Sequence, residues 1–507
     1  WQIPCRWAPD MGYGYGLPLF NYYPHFPYLV GEIFRVFGFA FMDAVKYTFF
    51  LSILVSGVGM YLLGRDLFGK LGGLVSSAFY IWAPYHALDV FVRGAMAEVW
   101  AMSIFPFVLW SSYKLVHGAQ FRWIVFLALS WALMLLSHNL MVLIFTPVFI
   151  GWVLLWLVRE RSWFTVPQIL ISLVWALGLA SFFTIPVILE SSLVHIDDLT
   201  SDFYTYFVHF ASINQLLFSR FWGYGRSVWE AQEDGMSFQA GHLHWILPII
   251  IVGMLVWRYV KTRRVDNMLL VTCYFFLVGW ISLFMVHSKS TPVWMLFEPV
   301  FKFLQFPWRF LTIATFAFSI VIGASVLLFK SKPRISKLLA FLLIAGVVLL
   351  NKDYFKPERM GPLTDESKFS GLAWELQLQI RDYRPATAKE SPKAQRTSLV
   401  EVLEGEAEIS KEETSTNLAS FKSIVTGANA RIRINIVQFP VWKIFVDGKE
   451  VETAFDDDKL GRMHITIPQG EHEVITRFSD TPIRTASNFL SVFSWILLLT
   501  APIWRRR

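Results

Sequence analysis

The residues with the most chemistry to offer form five polar outposts in an otherwise apolar chain. The first is Arg6-Trp7-Ala8-Pro9-Asp10-Met11-Gly12-Tyr13-Gly14-Tyr15-Gly16-Leu17-Pro18, running on through Asn21-Tyr22-Tyr23-Pro24-His25. It carries one early carboxylate among Gly, Tyr and Trp, and Gly and Pro break it too often for a membrane helix. It reads either as the lining of a site at the membrane surface or as an interfacial loop whose rings sit at headgroup level. The second outpost is Asp89-Val90-Phe91-Val92-Arg93-Gly94-Ala95-Met96-Ala97-Glu98. Arg93 and Glu98 either pair with each other or leave Arg93 as an anion clamp, a role that suits a bidentate guanidinium. Ser137-His138-Asn139 is a polar turn between two tightly linked apolar runs, and Gln305-Phe306-Pro307-Trp308-Arg309 opens another run. Arg309 either snorkels or binds. Glu190, four residues after Pro186, closes a further run. Charges at such places are costly unless they are paired or face water.

No phosphate-cradling Gly loop with Lys, nucleophile elbow, HExxH or paired-Cys zinc pattern occurs in the sequence. His242 and His244 read as a snorkelling or capping pair at a membrane boundary, and Asp456-Asp457-Asp458 as a solvated turn. The two cysteines, Cys5 and Cys273, provide neither a disulfide framework nor a metal-ligand spacing. The metal is left unknown.

The elements that must position these groups are membrane helices. The chain is 55% hydrophobic and only 16% charged, with 47 Phe and 22 Trp over 507 residues, which excludes an ordinary soluble composition. Apolar runs of spanning length fall near 44–63, 71–88, 96–113, 121–137, 140–158, 167–189, 243–260, 267–286, 308–329, 336–351 and 487–503. The fold class is therefore an all-α polytopic membrane bundle of about 11 transmembrane helices. Six alternate connections, from Arg65/Lys70 to Arg505-Arg506-Arg507, hold 17 Lys and Arg against three acidic residues, whereas loops 89–98, 137–140, 190–242 and 287–306 hold five Lys and Arg. By the positive-inside rule, residues 1–43, 190–242 and 352–486 are extracytoplasmic and the C-terminus is cytoplasmic. The net charge of +7 thus reports topology rather than nucleic-acid binding. The same alternation predicts one more helix upstream of Trp1.

The domain reading is a polytopic region 1–351 with outer loops 1–43, 89–98, 190–242 and 287–306, an extracytoplasmic domain 352–486, and a last span with a basic tail, 487–507. Within the outer domain, 386–418 is charged, poor in aromatics and linker-like, and 419–480 is β-rich. Arg431-Ile432-Arg433-Ile434-Asn435-Ile436-Val437 alternates with period two, Asp447-Gly448 signals a hairpin, and Pro468-Gln469-Gly470 separates two further strand-like runs.

The blocks RWAPDMGYGYGLPLFNYYPHFPY, DVFVRGAMAE, LLSHNL, RFWGYGRS and LQFPWRF, in that order, resemble the bacterial and archaeal multi-pass membrane family labelled "6-pyruvoyl-tetrahydropterin synthase-related". The resemblance covers most of residues 1–330. The label is not an activity, since the compact α+β pattern and zinc-binding His cluster of a pterin synthase are missing from this sequence. QFPVWKIFVDGKE and PQGEHEV resemble the outer domain of membrane proteins implicated in glycosylating lipoteichoic acid. Both groups resemble GT-C-type membrane glycosyltransferases, which take a sugar from a polyprenyl-phosphate donor at the outer face.

That resemblance implies inverting sugar transfer to an envelope glycan, lipid or protein acceptor, with a lipid-phosphate-linked sugar as donor and with or without a divalent metal. The class places a basic or metal-binding carboxylate in its first outer loop. Asp10 is the matching residue here, ahead of Glu32. Arg93 or Arg309 would hold the phosphate, with Glu98, His138 and Gln305 beside them, and Trp7, Tyr13, Tyr15 and Tyr22 would stack on sugar faces. The partners so implied are the lipid bilayer, the polyprenyl-phosphate sugar and the acceptor. Two alternatives stay open: a transporter or flippase of lipid-linked sugar, and a non-catalytic envelope-assembly protein.

Overall fold

The computed structural model describes residues 4–227, 235–379, 382–455 and 457–504. Asp456 of the acidic turn and the tail Arg505–Arg507 lie outside the described residues. Among those described, eight helices are long and apolar enough to cross a membrane: Phe41–Ile81, Met96–Gly118, Asn139–Glu160, His242–Thr262, Asn267–Val286, Pro307–Phe329, Pro333–Tyr354 and Pro482–Ala501. The bent pair Trp163–Leu179 and Ser181–Leu189 adds a ninth if it is one span, and Phe121–Leu135 is a shorter apolar helix. Every backbone group inside lipid must be bonded within the segment, so long apolar runs become helices.

The chain divides into two compact units, one of residues 25–177 and 200–362, the other of residues 1–24, 178–199 and 363–507. The first is the helical bundle. Its element Phe41–Ile81 is not one rod, because Gly69 breaks it at φ +81°, ψ 175°. Ser77 Oγ donates to the carbonyl of Gly57 at 2.8 Å, although a straight helix would hold residues twenty apart at about 30 Å. The two arms therefore fold back as a hairpin. A Cβ on Gly73 would meet the Tyr61 carbonyl oxygen at 2.7 Å, so the arms approach backbone to backbone. At the centre of the bundle Phe105 stacks on Phe145, 4.2 Å between centroids, and Phe316 meets both edge-on.

The second unit holds an antiparallel sheet of β1 (Val400–Glu404), β2 (Ala407–Thr414), β3 (Leu418–Val437), β4 (Trp442–Val446), β5 (Lys449–Val451) and β6 (Arg462–Phe478). Its order is β1-β3-β6-β4-β5, with β2 also on β3. The period-two reading of 431–437 fits: Ala430, Ile432 and Ile434 are buried, while Arg431 and Arg433 pair with acidic residues on the opposite face. Asp447 and Gly448, both at positive φ, turn β4 into β5.

Three local expectations change. Residues 386–418 are not a linker throughout, because β1 and β2 lie within them and pair with β3. Their charge reflects an exposed β-ribbon. Pro468-Gln469-Gly470 does not turn the chain but continues β6, and the irregularity is absorbed between Val425 and Asn429 of β3. Asp458 is not solvated: its side chain is buried and ion-paired to Arg462 at 2.9 Å.

The N-terminal stretch belongs to this second unit rather than standing as a loop of the bundle. Ala8 and Leu17 bridge antiparallel, and the Val437 N–H donates to the Tyr15 carbonyl at 3.1 Å. The Trp7 ring is 1% exposed in the β core, against Trp442, Phe478 and Phe439. Gly16, at φ +83°, faces that ring so closely that a Cβ would stand 2.5 Å from it. Gly16→Ala is therefore expected to cost about 2 kcal/mol or more, from left-handed backbone and overpacking together. Thermal unfolding followed by tryptophan fluorescence measures it, and an unchanged midpoint would show that the ring moves aside.

Candidate functional site

A buried charged cluster forms in the helical unit from two sequence-distant segments. Residues Pro84–Ala87 form one helical turn, and Leu88–Val92 continue it as a π-helix. Tyr85, Asp89 and Arg93 recur every four residues, so they rise along one side of this short segment. Gly94 then redirects the chain into the helix Met96–Gly118, whose first turn carries Glu98. A carboxylate is favoured there by the helix dipole. From the other direction, Pro307–Phe310 forms a 3-10 turn ahead of the helix Leu311–Gly323 and presents Trp308 and Arg309.

Glu98 is the hub. Its Oε1 accepts from the Tyr85 hydroxyl at 2.7 Å, and its Oε2 lies 2.9 Å from Arg93 Nη1 and 3.6 Å from Arg309 Nε. Arg93 Nη1 also donates to Asp89 Oδ1 and to the Tyr85 oxygen at 3.3 Å. Arg309 Nη1 donates to the Leu304 carbonyl at 2.7 Å and to Gln305 Oε1 at 3.2 Å. Two guanidinium groups thus face two buried carboxyl groups, and their pairing is what makes the burial tolerable. Burial, and then the nearby Glu98, push the Asp89 carboxyl well above the usual carboxylate range against the pull of Arg93. Asp89 Oδ2 is buried without a hydrogen-bond partner among the described residues. His138 caps the helix Asn139–Glu160, its Nδ1 accepting from the Leu140 N–H at 3.2 Å. Desolvation, helped by Arg309, takes its imidazole down to about 3, so it stands beside the cluster as a neutral ring.

The exposed part of this cluster is cationic. Asp89 and Glu98 are fully buried, whereas the Arg93 side chain is 14% exposed and that of Arg309 9%. Arg93 lies over the Trp308 ring at 4.2 Å, which fixes its plane. Its hydrogen bonds among the described residues run through Nη1. The Nε–Nη2 edge, whose shape matches two oxygens of a phosphate or carboxylate, makes no hydrogen bond among the described residues. The arrangement can hold an oxyanion on Arg93 and keep an uncommitted carboxylate oxygen, Asp89 Oδ2, behind it.

The sequence-predicted residues therefore separate. Arg93, Glu98, His138, Gln305 and Arg309 come together in the helical unit, joined by Tyr85, Asp89 and Trp308. Tyr85 and Asp89 carry a signal that was readable: their spacing of four up to Arg93. Trp7, Asp10, Tyr13, Tyr15 and Tyr22 lie in the other unit. Trp7 is core, and Tyr22 stacks on Tyr383 at 5.4 Å while its hydroxyl donates to the Glu190 carbonyl at 2.8 Å. Tyr15 packs with Ala388 and Val437, and Tyr13 is partly buried with its backbone tied to Leu378 and Arg396. Asp10 is exposed. Glu190 is also in that unit, where its Oε2 accepts from Arg484 Nε at 2.7 Å and its Oε1 from the Thr481 hydroxyl. Of the histidine pair, His244 is buried, with Nε2 on the Phe79 carbonyl at 2.8 Å. Among the described residues no three His, Cys, Asp or Glu side chains gather as a metal-holding set.

Residues 20–355 match the family described as "6-pyruvoyl-tetrahydropterin synthase related domain; membrane protein". The chain belongs to this family. The matched stretch contains every residue of the Arg93–Glu98–Arg309 cluster, and Trp7, Asp10, Tyr13 and Tyr15 precede it. Membership makes the chain a membrane protein with several apolar spans. No curated protein and no solved structure matches it.

Proposed function

We propose that this member of the 6-pyruvoyl-tetrahydropterin synthase-related family is a membrane-embedded glycosyltransferase that binds the phosphate of a polyprenyl-phosphate sugar on Arg93. The observation that carries the reading is the uncommitted Nε–Nη2 edge of a guanidinium stacked on Trp308, with its countercharges buried beneath it. In the reaction an acceptor hydroxyl forms a bond to the anomeric carbon as the carbon–oxygen bond to the lipid phosphate breaks. The hydroxyl proton passes to a carboxylate, and the departing phosphate keeps the electron pair on Arg93. Asp89 is the candidate base by position, paired with Arg93 and with an Oδ2 that makes no hydrogen bond among the described residues. Asp10, in the other unit, is the carboxylate that the resemblance to GT-C enzymes implies. Counting both arms of the hairpin, the bent pair as one span and Phe121–Leu135 gives eleven crossings. An odd count agrees with an outward N-terminal stretch and an inward basic tail.

Arg93→Lys keeps the charge but loses the two-pronged edge. It is expected to lower kcat/KM for transfer from a radiolabelled polyprenyl-phosphate sugar by about 100-fold, with the melting midpoint little changed. Asp89→Asn and Asp10→Asn, assayed alongside, identify the base as the variant that stops transfer. Wild-type-like transfer by Arg93→Lys would overturn the role of Arg93. A wild-type protein that moves the lipid-linked sugar across vesicles without transferring it would be a transporter, and one that does neither an assembly protein.

A further inference from the structure

A separate cavity of about 130 Å³ opens in the helical unit between the start of the helix His242–Thr262 and the end of the helix Pro333–Asn351. Its lining is Arg220, His242, Leu243, Leu350, Asn351 and Tyr354, with no acidic residue among them. Arg220 Nη2 donates to the Leu350 carbonyl at 3.0 Å and Nε to the Tyr354 hydroxyl at 3.3 Å, and Trp222 stacks on Tyr354 at 4.5 Å. The guanidinium is thus held at the mouth. No side chain caps the helix at Gly241, and the N–H groups of His242 and Leu243 have no backbone acceptor among the described residues. The volume exceeds the roughly 30 Å³ share of one water several-fold.

We infer that this cavity binds one phosphate-bearing group, the headgroup of an anionic phospholipid. Guanidinium, free helix N–H groups and the positive helix end all favour a phosphate oxygen. The location favours a lipid as its source. His242 begins one apolar helix and Asn351 ends another, and Leu243 lies 3.6 Å from where a Cβ on Gly346 would stand, so the two helices touch just inside the cavity. Ile250, seven residues on from Leu243 and so on the same helix face, is exposed apolar surface along which an acyl chain can lie. This site is distinct from the Arg93 cluster and independent of the transfer reaction.

Native mass spectrometry of the purified full chain, delipidated in detergent and titrated with phosphatidylglycerol or phosphatidylcholine, tests the inference. One phosphatidylglycerol is expected to stay bound, and phosphatidylcholine to be retained far less. Arg220→Gln should weaken phosphatidylglycerol retention about tenfold or more. Because Arg220 also ties down Leu350 and Tyr354, Leu243→Glu is the second variant. A first-turn carboxylate suits the helix but sets a like charge in the cavity, and it should weaken retention similarly. Arg359→Gln, at an exposed position, should change nothing. Displacement of phosphatidylglycerol by millimolar inorganic phosphate would support recognition of the phosphate alone, and its failure to displace would support recognition of the whole lipid. Equal retention of both lipids, or undiminished phosphatidylglycerol on both variants, would overturn the inference.

Discussion

Glu98→Gln is expected to destabilise the protein by about 3–5 kcal/mol, the cost of removing one partner from a buried ion pair. The carboxylate is fully buried and serves Tyr85, Arg93 and Arg309 together. Its neutral isostere keeps the shape but removes the anion that the two guanidinium groups share. Asp89→Asn should cost clearly less, since burial and Glu98 already favour the protonated form of Asp89 and one of its oxygens makes no hydrogen bond. Denaturant unfolding in micelles compares the two variants. Equal losses, or a loss under about 1 kcal/mol for Glu98→Gln, would mean that water screens the cluster and that it is not the desolvated site described.

The second large effect lies in the β-containing unit. Arg484 is fully buried near the start of the helix Pro482–Trp504 and donates from Nε to Glu190, while its Nη1 and Nη2 have no hydrogen-bond partner among the described residues. Phe439 and Phe478 lie against it at 5.2 and 5.8 Å. Arg484→Leu alone strands the Glu190 carboxylate and is expected to cost about 3–5 kcal/mol. Glu190→Leu with Arg484→Leu removes both charges into an environment already aromatic, and should recover most of that loss. A double-mutant cycle on thermal unfolding gives the coupling directly. Additive losses in the double variant would show that the two side chains act separately. The neighbouring Arg6 is held by Asn21, Phe182, Asn488 and Asp480, so the node survives the double substitution with one guanidinium still engaged.

Much of the helical unit was legible because lipid leaves the backbone few options. Each of the eleven apolar runs became helix, since hydrogen bonds within the segment satisfy apolar sequence locally. What was not legible is how arms pair. The runs 44–63 and 71–88, with Arg65 and Lys70 between them, read as successive spans that reverse direction, but do not say how closely the two arms pack. The reversal depends on a left-handed residue and on close backbone contact at Gly73. In the β-containing unit, period two located β3 but not β1 and β2, because an exposed ribbon buries too little apolar surface to leave a pattern. The run at 468–470 resembled a turn, yet pairing with β3 carries β6 through it.

Of the candidate site, sequence by itself determined the ingredients: membrane helices, a strong asymmetry of basic charge, and Arg93, Glu98, His138 and Arg309 at the ends of apolar runs. A charge there is costly enough that its presence alone demands a partner or a use. Only the tertiary structure decided who the partners are, because an ion pair between residues 98 and 309 depends on which helix ends meet in space. It likewise decided that Trp7 and Tyr22, chemically suited to stack on a sugar, spend their ring faces on Phe439, Trp442, Phe478 and Tyr383. Residue type fixes what a side chain can bind, and packing fixes which of its faces remain available.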